Sequence, residues 1–240
     1  MKSGFIHSFE SMGLVDGPGI RTIVFLQGCA LRCSYCHNPD TWNLSGGKEY
    51  TPDMLLKKIL RFKPYFGETG GVTFSGGDPL MQPEFLLDCL KLCKDLGIHT
   101  TIDTSGIGFP EFYNEILKNT DLVLLDIKHV DESNFKDLTG HSMKDLHIFL
   151  EHLKIIKPNV WIRHVVVPNI TDSIDHMNKL CDLIKEIPNV EKIELLPYHT
   201  IGVHKYKNLN ITYRLKDIPP MDKSKTLELQ NYVNERLGIK

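Results

Sequence analysis

Residues 20–37 read IRTIVFLQGCALRCSYCH and join a buried strand to a cysteine-rich loop. The near-continuous apolar run from Ile20 to Gln27 is typical of a strand covered on both faces of a parallel sheet. Cys29, Cys33 and Cys36 follow at once, with the spacing C-x3-C-x2-C. Functional residues of parallel sheets gather at the carboxyl ends of the strands and in the loops that follow. The stretch therefore predicts both an α/β fold and a site after its first parallel strand.

The alternation of strand and helix patterns extends over most of the chain. Five further apolar or β-branched runs predict buried strands at residues 71–75, 98–103, 122–128, 160–167 and 191–196. Apolar residues at helical spacing predict helices over residues 51–60, 82–97, 111–118, 145–157, 174–187 and 222–236. Six β/α units with right-handed crossovers form a parallel sheet, whereas a closed barrel has eight. The predicted fold class is therefore α/β: a partial (β/α)6 TIM-like barrel with outer helices.

The composition is that of an ordinary globular protein. Of 240 residues, 41% are hydrophobic and 24% are charged, which argues against disorder. No stretch rich in Pro, Gly or Ser divides the chain, so we expect residues 1–240 to form a single domain. Residues 203–225 are polar, basic and weakly periodic, and we expect an extended surface segment there before the last helix.

The net charge and the hydropathy of the chain argue against nucleic acids and membranes as partners. With 28 Lys and Arg against 30 Asp and Glu, the net charge is −2, so the whole chain is not built to bind nucleic acid. The first residues lack the apolar core of a signal peptide, and no run reaches the roughly 18 apolar residues of a membrane span. We therefore expect a cytoplasmic protein with neither a nucleic-acid nor a membrane partner, whose cysteines stay reduced.

The uneven placement of the six cysteines points to a metal site. Cys29, Cys33 and Cys36 share one short loop, where three soft ligands can face one centre and suit iron–sulfur or zinc. His37 would be a fourth zinc ligand, although it adjoins Cys36. On a cubane cluster, three thiolates leave one iron open to a substrate or cofactor. The spacing alone leaves an iron–sulfur cluster, a Cys3His zinc knuckle and three inert thiols as alternatives.

Tyr35 precedes the third cysteine, so the loop reads C-x3-C-x-aromatic-C, which resembles the signature of the radical S-adenosylmethionine (SAM) superfamily. Residues 74–79, FSGGDP, resemble the Gly-Gly-Glu-Pro motif that follows the second strand in that superfamily. Over nearly its whole length the chain resembles one subgroup, the pyruvate formate-lyase activating enzymes. The runs that carry this resemblance are DGPGIR (16–21), CHNPDTW (36–42), LDIK (125–128), WIRHVVVP (161–168) and EKIELLPYH (191–199).

The resemblance implies a [4Fe-4S] cluster held by Cys29, Cys33 and Cys36, with SAM at the open iron. Reductive cleavage of SAM then gives methionine and a 5′-deoxyadenosyl radical, which abstracts an α-hydrogen from a glycine of a partner enzyme. The implied protein is an oxidoreductase that activates pyruvate formate-lyase under anaerobic conditions, with reduced flavodoxin or ferredoxin as its electron donor. Because SAM carries the radical, no side chain is expected to be catalytic, and the protein places and shields the cofactors.

The glycine-rich run after the second predicted strand is one expected SAM contact. Gly76 and Gly77 lack a Cβ, which lets the backbone approach a ligand closely, although an ordinary tight turn is the alternative. By resemblance, Asp78 belongs to the same contact. The family usually has Glu at this position, so the role of the shorter carboxylate stays open.

Asp126 and Lys128 lie two residues apart at the end of a predicted strand, so they share a face. Charges there are costly unless they are paired or used, and a structural salt bridge is the alternative to a ligand contact. By resemblance the two residues, with Ile127 between them, contact the ribose or methionyl part of SAM. His199 matches a SAM-contacting histidine of the family, against the alternative of a structural histidine. The other expected SAM contacts flank the third cysteine: Tyr35, Cys36 and His37.

Two further sites are expected, one for a monovalent cation and one for the substrate peptide. The oxygens of Asp103 and Thr104, with Asp126, would hold a monovalent cation against the SAM carboxylate, unless Asp103 is a capping residue. Asp16 and Arg163 are candidates to meet the incoming substrate peptide or SAM. We expect a monomer whose barrel is open on one side for that peptide.

The remaining reactive and charged residues favour structural roles. Three cysteines in helical patterns are expected to be core thiols: Cys89, Cys93 and Cys181. The basic side chains late in the chain are expected to face solvent rather than an acidic electron donor: Lys205, Lys207, Arg214 and Lys216.

Two other functions remain as alternatives. In the second hypothesis, the chain activates a different glycyl radical enzyme. Such activases usually carry a ferredoxin-like insert with extra cysteines, but residues 38–69 contain no cysteine. The third hypothesis is a zinc-stabilised binding module without redox activity.

Overall fold

The computed structural model describes residues 2–239. One eight-stranded sheet runs through this part of the chain, in the spatial order β3-β1-β2-β4-β5-β6-β7-β8. The strands are β1 Gly4–Gly13, β2 Arg21–Leu26, β3 Lys48–Tyr50, β4 Gly71–Gly76, β5 His99–Thr104, β6 Leu122–Asp126, β7 Asn159–Val166 and β8 Val190–Pro197.

Six neighbouring strands, β2 and β4 to β8, are parallel. They match the six predicted runs to within a few residues. The central strands are buried on both faces: in β4, Val72 and Phe74 are inaccessible to solvent, and so is Thr73 between them. The edge strand β8 is buried on one face only, with Glu191, Lys192 and Leu196 exposed. The predicted α/β class with a partial barrel of parallel strands is confirmed.

The sequence patterns do not predict β1 and β3, which are antiparallel to their neighbours. β1 reads GFIHSFESMG and mixes polar with apolar residues, because much of it is half-exposed. β3 has three residues, none of them buried. Together they extend the sheet beyond β2, and β1 pairs with the edge of β2 that the parallel strands leave open.

Eight helices occur within residues 2–239: α1 Pro52–Leu60, α2 Pro83–Asp95, α3 Pro110–Lys118, α4 Glu132–Thr139, α5 Lys144–Ile156, α6 Ile174–Ile184, α7 Val203–Asn208 and α8 Lys223–Leu237. The predicted start of α1 is confirmed, since the Thr51 hydroxyl accepts a hydrogen bond from the Met54 N–H at 3.3 Å. Each of these helices falls short of the length and apolar character that crossing a bilayer requires.

Two helices differ from the expectations. α4 occupies a stretch with no predicted element and ends at Gly140, whose φ of +75° suits glycine. The prediction of an extended segment over residues 203–225 is wrong at its start, where α7 forms. A six-residue helix has little stability of its own. The buried ring of Tyr206 holds α7 in place, and its hydroxyl donates to the Cys36 carbonyl at 3.0 Å.

A continuous hydrophobic core fills the space between the sheet and the outer helices. Phe74 of β4, Phe85 of α2 and Phe149 of α5 are almost inaccessible to solvent. The three cysteines predicted to be core thiols are buried in this core: Cys89, Cys93 and Cys181.

Three buried histidines join β7 to α6 on the side of the sheet that carries the helices. His164 Nδ1 donates to the Ile127 carbonyl at 2.6 Å, so its Nε2 accepts from His176 Nε2 at 3.1 Å. The His129 ring lies edge-on to that of His176, with centroids 4.6 Å apart. Burial lowers the pKa of His164 to about 4 and that of His176 to about 2, so both rings are neutral at pH 7.

We predict that a His164→Gln variant loses less stability than the wild type on mild acidification. The unfolded chain protonates this histidine near pH 6.5, whereas the folded protein keeps it neutral. Above that pH, the neutral His164 therefore costs the folded protein no stability. As the pH falls towards 4, the unfolded chain takes up a proton that the folded protein does not, and the free energy of unfolding decreases. Between about pH 7.5 and about pH 5.5 the wild type should lose roughly 1 kcal/mol more than the variant.

Urea unfolding under anoxic conditions at the two pH values measures this difference. Equal losses of unfolding free energy in both proteins would contradict a neutral, buried His164.

Candidate active site

A cavity of about 600 Å³ lies at the carboxyl ends of the parallel strands. Every parallel strand, or the loop after it, contributes to its wall: Cys29, Cys33 and Cys36 after β2, residues 75–78 at β4, residues 103–105 at β5, Asp126 and Lys128 at β6, Val165 in β7, and Leu196 and His199 at β8. The loop before β2 adds Asp16, and the cysteine loop adds Tyr35 and His37. Two predicted site residues, Ile127 and Arg163, do not line it.

The loop that carries the three cysteines is held by the backbone on both sides. The Gly28 N–H donates to the Thr41 carbonyl at 2.7 Å. On the other side, the Arg32 N–H donates at 2.7 Å to the carbonyl of Thr139, the last residue of α4. These bonds use a helix-end carbonyl that would otherwise lack a partner, and they hold the loop on both sides.

The three thiols are free, with Cys33 buried and Cys29 and Cys36 half-buried. Burial raises the pKa of Cys33 to about 12, although Lys128 acts in the opposite direction. Burial likewise raises the pKa of Cys29 and Cys36. Without a metal these side chains are therefore poor nucleophiles, whereas a coordinated metal deprotonates its thiols outright. Soft thiol ligands suit an iron–sulfur centre. Within residues 2–239, however, no three His, Cys, Asp or Glu side chains are grouped so that they could hold a single metal ion.

Gly76 and Gly77 form the end of β4 that faces the cavity. Gly76 has φ +115°, and a Cβ there would lie 2.3 Å from the nitrogen of Leu26. A Cβ on Gly77 would lie 2.2 Å from the carbonyl oxygen of Gly28. Both positions require glycine, because the end of β4 packs directly on the backbone of β2 and of the cysteine loop.

The carboxylate of Asp78 is fully buried and holds the protein backbone together. Its Oδ1 accepts from the Leu80 N–H at 3.1 Å and the Thr104 hydroxyl at 2.8 Å. Its Oδ2 accepts from the N–H and the hydroxyl of Ser105 at 2.9 and 2.6 Å. Burial raises the pKa of Asp78, and these hydrogen bonds oppose that shift. All four hydrogen bonds come from protein groups. The Asp78 backbone is also paired, because its N–H donates to the Gly28 carbonyl at 2.8 Å and its carbonyl accepts from the Met81 N–H at 3.1 Å. The expected contact of Asp78 with SAM therefore has no support in this geometry.

Asp103 and Thr104 lie together at the end of β5, as expected for the cation site. The Thr104 hydroxyl, however, donates to Asp78 and accepts from the Gly106 N–H at 3.0 Å. Asp103 accepts from the Ser75 hydroxyl at 2.7 Å, and burial raises its pKa to about 6. The Thr104 hydroxyl is therefore not available to a cation, and the carboxylates of Asp103 and Asp126 are the predicted ligands that remain.

Asp126 and Lys128 form a largely buried ion pair inside the cavity wall. Burial alone would lower the pKa of Lys128, but Asp126, Tyr35 and Cys33 outweigh it and raise that pKa well above its usual range. The ammonium also lies 5.8 Å from the centre of the Tyr35 ring. The two charges share a face, as the spacing predicts.

Ile127, between these charges, has its side chain in the hydrophobic core. Only its backbone serves the site, because its N–H donates to the Arg163 carbonyl at 2.9 Å and its carbonyl accepts from His164. The expectation of a direct SAM contact by this side chain therefore has no support in the geometry.

His37 and His199 stack on each other across the cavity mouth. Their ring centroids are 4.1 Å apart with an interplanar angle of 21°. His37 Nε2 lies 3.1 Å from the His199 carbonyl oxygen, which fixes that nitrogen as the donor. Burial lowers the pKa of His37 and favours its neutral form. The pair places two aromatic faces beside the third cysteine.

Arg163 lies below the cavity at the centre of three carboxylates. Its guanidinium is 3.1 Å from Asp16, 3.2 Å from Glu194 and 3.7 Å from Asp103. It also donates to the Val15 carbonyl. Burial would lower the pKa of Arg163, but the three carboxylates raise it further above its usual range. Arg163 thus anchors the loop that brings Asp16 to the cavity.

Several residues in or beside the site are absent from the predicted site residues, among them Ser75, Ser105 and Glu194. Glu194 left a signal, since it is a charged residue inside an apolar strand and stands in register with Arg163. Ser75 and Ser105 left none, because their partners lie 28 and 27 residues away along the chain.

The donor groups in the cavity fit an iron–sulfur cluster and SAM. Three free thiols supply the soft ligands. Three cavity-lining atoms are buried without hydrogen-bond partners, as expected of groups that await a polar ligand: the Tyr35 hydroxyl, Asp126 Oδ1 and His199 Nδ1. The volume of about 600 Å³ lies within the range of cofactor pockets, roughly 300–1,000 Å³.

Comparisons with known proteins agree with this fit. The model of the radical SAM superfamily matches residues 23–182. A pyruvate formate-lyase-activating enzyme of Clostridium pasteurianum is 62% identical over 238 residues, which span 99% of this chain and 100% of that protein. One from Staphylococcus epidermidis is 48% identical, over 98% of this chain and 96% of its own. The crystal structure of Streptococcus suis SuiB bound to precursor peptide SuiA shares the fold, with a TM-score of 0.66 and 18% identity over 89% of this chain and 46% of that one.

Because the superfamily model covers well over half of the chain, the chain belongs to the radical SAM superfamily. Members of this superfamily use a [4Fe-4S] cluster and SAM, the two groups that fit the cavity. Identity over the full length of the curated relatives narrows the assignment to the family of pyruvate formate-lyase-activating enzymes.

We predict that Cys33→Ala removes the iron–sulfur cluster, whereas Cys93→Ala keeps it. Both thiols are buried, but Cys33 lines the cavity and Cys93 lies in the core beside α1 and β5. Iron and sulfide content after anaerobic reconstitution, together with SAM cleavage, measures the effect. A Cys33→Ala protein with full iron content would refute the ligand assignment.

A second prediction concerns Asp78. Asp78→Ala leaves four buried donors without their acceptor and should lower the unfolding free energy by about 3–5 kcal/mol. Asp78→Asn keeps one carbonyl acceptor and should lower it less. Urea unfolding of both variants measures this order. Unchanged stability with a raised KM for SAM would instead assign the carboxylate to the cofactor.

Proposed function

We propose that this chain activates pyruvate formate-lyase by generating a glycyl radical on it under anaerobic conditions. The observation that carries the proposal is one cavity in which three free thiols and three unpartnered polar atoms converge. The identity of 62% to an enzyme of that name supports this particular partner over other glycyl radical enzymes.

The three cysteines would hold the cluster and leave one iron without a protein ligand. When bound, the cluster and SAM supply a 5′-deoxyadenosyl radical, with methionine as the other product, and this radical takes the glycine α-hydrogen. The task of the protein is to hold both groups in a fixed geometry. The backbone bonds at Gly28 and Arg32 hold the cysteine loop for this purpose.

The polar atoms of the wall are placed to bind SAM. Gly76 and Gly77 line the cavity, although their lack of a Cβ serves the packing on β2 and the cysteine loop. Asp126 Oδ1 and the Tyr35 hydroxyl offer an acceptor and a donor. Lys128 pairs directly with the Asp126 carboxylate. His199 Nδ1 and its stacked neighbour His37 close the mouth beside the third cysteine. These groups orient the cofactor and exclude water from it.

The loop of Asp16 is the proposed meeting point with the partner peptide. Arg163 fixes Asp16 at the cavity wall, while the neighbouring Leu14 and Val15 are 70% and 72% exposed. Exposed aliphatic side chains beside a cavity mouth suit a protein surface better than water. The peptide would enter past this loop, with the open barrel giving it room.

The proposal extends to the electron donor, the domain organisation and the oligomeric state. Reduced flavodoxin or ferredoxin would supply the electron, and residues 1–240 would act as one domain and as a monomer. All six cysteines are free, which suits the reducing cytoplasm.

Electron paramagnetic resonance provides the test. The reconstituted protein, reduced and mixed with SAM and pyruvate formate-lyase without oxygen, should give a glycyl radical doublet. The Cys33→Ala variant should give none. A doublet only with a different glycyl radical enzyme would favour that activase function, and a protein that binds zinc alone and never cleaves SAM would favour the binding module.

A further inference from the structure

A side chain of α8 covers the free edge of β8. Within residues 2–239, β8 is an end strand of the sheet and pairs with a strand on its β7 side only. On the other side, Gln230 accepts a hydrogen bond from the Leu195 N–H at 2.7 Å and donates one to the Ile193 carbonyl at 3.1 Å. These are the two groups that one residue of a neighbouring parallel strand would bind. The Gln230 carboxamide therefore stands where the backbone of an added strand would lie.

The covered edge leads directly to the SAM cavity. A cleft of about 390 Å³ runs beside it, and residues 192–196 line this cleft together with Gln230, Asn234 and Ile239. Leu196 lines the SAM cavity as well, followed by Pro197. Because a strand rises about 3.3 Å per residue, a segment paired at Leu195 reaches the cavity within about two or three residues. The edge of β8 and the cavity thus form one continuous surface.

Side chains of β8 alternate between two environments beside this edge. Ile193 and Leu195 are buried in the hydrophobic core, whereas Glu194 faces Arg163 at 3.2 Å and Leu196 is 37% exposed at the cavity. A strand added here would alternate in the same way, so every second residue would point to the cavity side. The edge therefore offers a fixed register to an extended segment.

We propose that the edge of β8 at residues 193–195 binds an extended segment of the protein substrate as an added strand, in place of the Gln230 side chain. The inference rests on the proposed function and concerns how the glycine-bearing segment is held. A glycine has no side chain to grip, so main-chain hydrogen bonds beside it are a suitable source of affinity, and alternate side chains supply specificity.

Gln230 competes with the added strand for the same two backbone groups. Its side chain is half-buried and is supported by one further hydrogen bond, from its Nε2 to Asn234 Oδ1 at 2.8 Å. When the strand binds, a peptide group replaces a carboxamide, so the edge keeps the same number of hydrogen bonds. The displaced side chain turns to water. The free protein thus keeps its sheet edge covered until the substrate arrives.

A backbone scan of the substrate tests the added strand in the wild-type protein. The probes are synthetic nine-residue peptides centred on the radical-bearing glycine of pyruvate formate-lyase, each N-methylated at one position. They are added to the anaerobic holoenzyme with SAM and dithionite, and peptide-dependent 5′-deoxyadenosine is measured. Methylation of an N–H that faces β8 should raise the KM for the peptide about fivefold, and methylation at the alternate positions should not, which gives a period of two.

A variant of the competing side chain gives a second, opposite effect. Gln230→Ala should lower the KM for the unmodified peptide by about threefold or more, because the strand no longer has to displace a hydrogen-bonded group. Asn231→Ala is the matched control, since Asn231 is the next residue of α8 and is exposed. It should leave the KM for the peptide at the wild-type value.

The outcomes separate this inference from the proposed function. A wild-type holoenzyme that forms no glycyl radical on the full partner enzyme would overturn the proposed function itself. Normal radical formation with no period of two in the scan would overturn only the added strand. If Gln230→Ala raises the KM for the peptide, Gln230 itself binds the substrate and the inference is wrong. It is also wrong if that variant elutes as a dimer with an unchanged KM, because the edge then pairs with a second copy.

Discussion

Two backbone hydrogen bonds, from Gly28 to Thr41 and from Arg32 to Thr139, govern the rest of the site. They tie the cysteine loop to the following turn and to the end of α4, and so restrict the positions of the thiols. The short turn after β4 then packs on this loop so closely that only glycine fits at residue 77. A loop held by such bonds loses less conformational entropy when it binds a metal, which strengthens binding.

The interior of the barrel is unusually rich in charge for a buried region. Arg163 gathers Asp16, Asp103 and Glu194, and Lys128 pairs with Asp126. Removing one partner of such a network leaves an uncompensated buried charge, so the network favours a single arrangement of the strands and of the loop before β2. The same charges set the electrostatic environment of any molecule in the cavity above.

The sequence predicts features that depend on residues close together in the chain, and it does not predict features that depend on contacts between distant residues. Apolar runs locate the central parallel strands because both of their faces are buried, whereas the half-exposed β1 leaves no such pattern. The cysteine spacing locates the ligands because it is a property of one loop. The role of the Asp78 carboxylate depends on Ser105, 27 residues away, and the pairing of Arg163 with Asp16 spans 147 residues. Only the folded chain brings those groups together.

Cys29 is half-buried and lines both the site cavity and a second cleft of about 580 Å³, which has a chemical consequence. A metal centre held by this thiol would be open to dioxygen as well as to a reductant. Thiols that lost their iron to air would then be free to oxidise. The same exposure that would ease reduction of the centre would therefore favour anoxic surroundings.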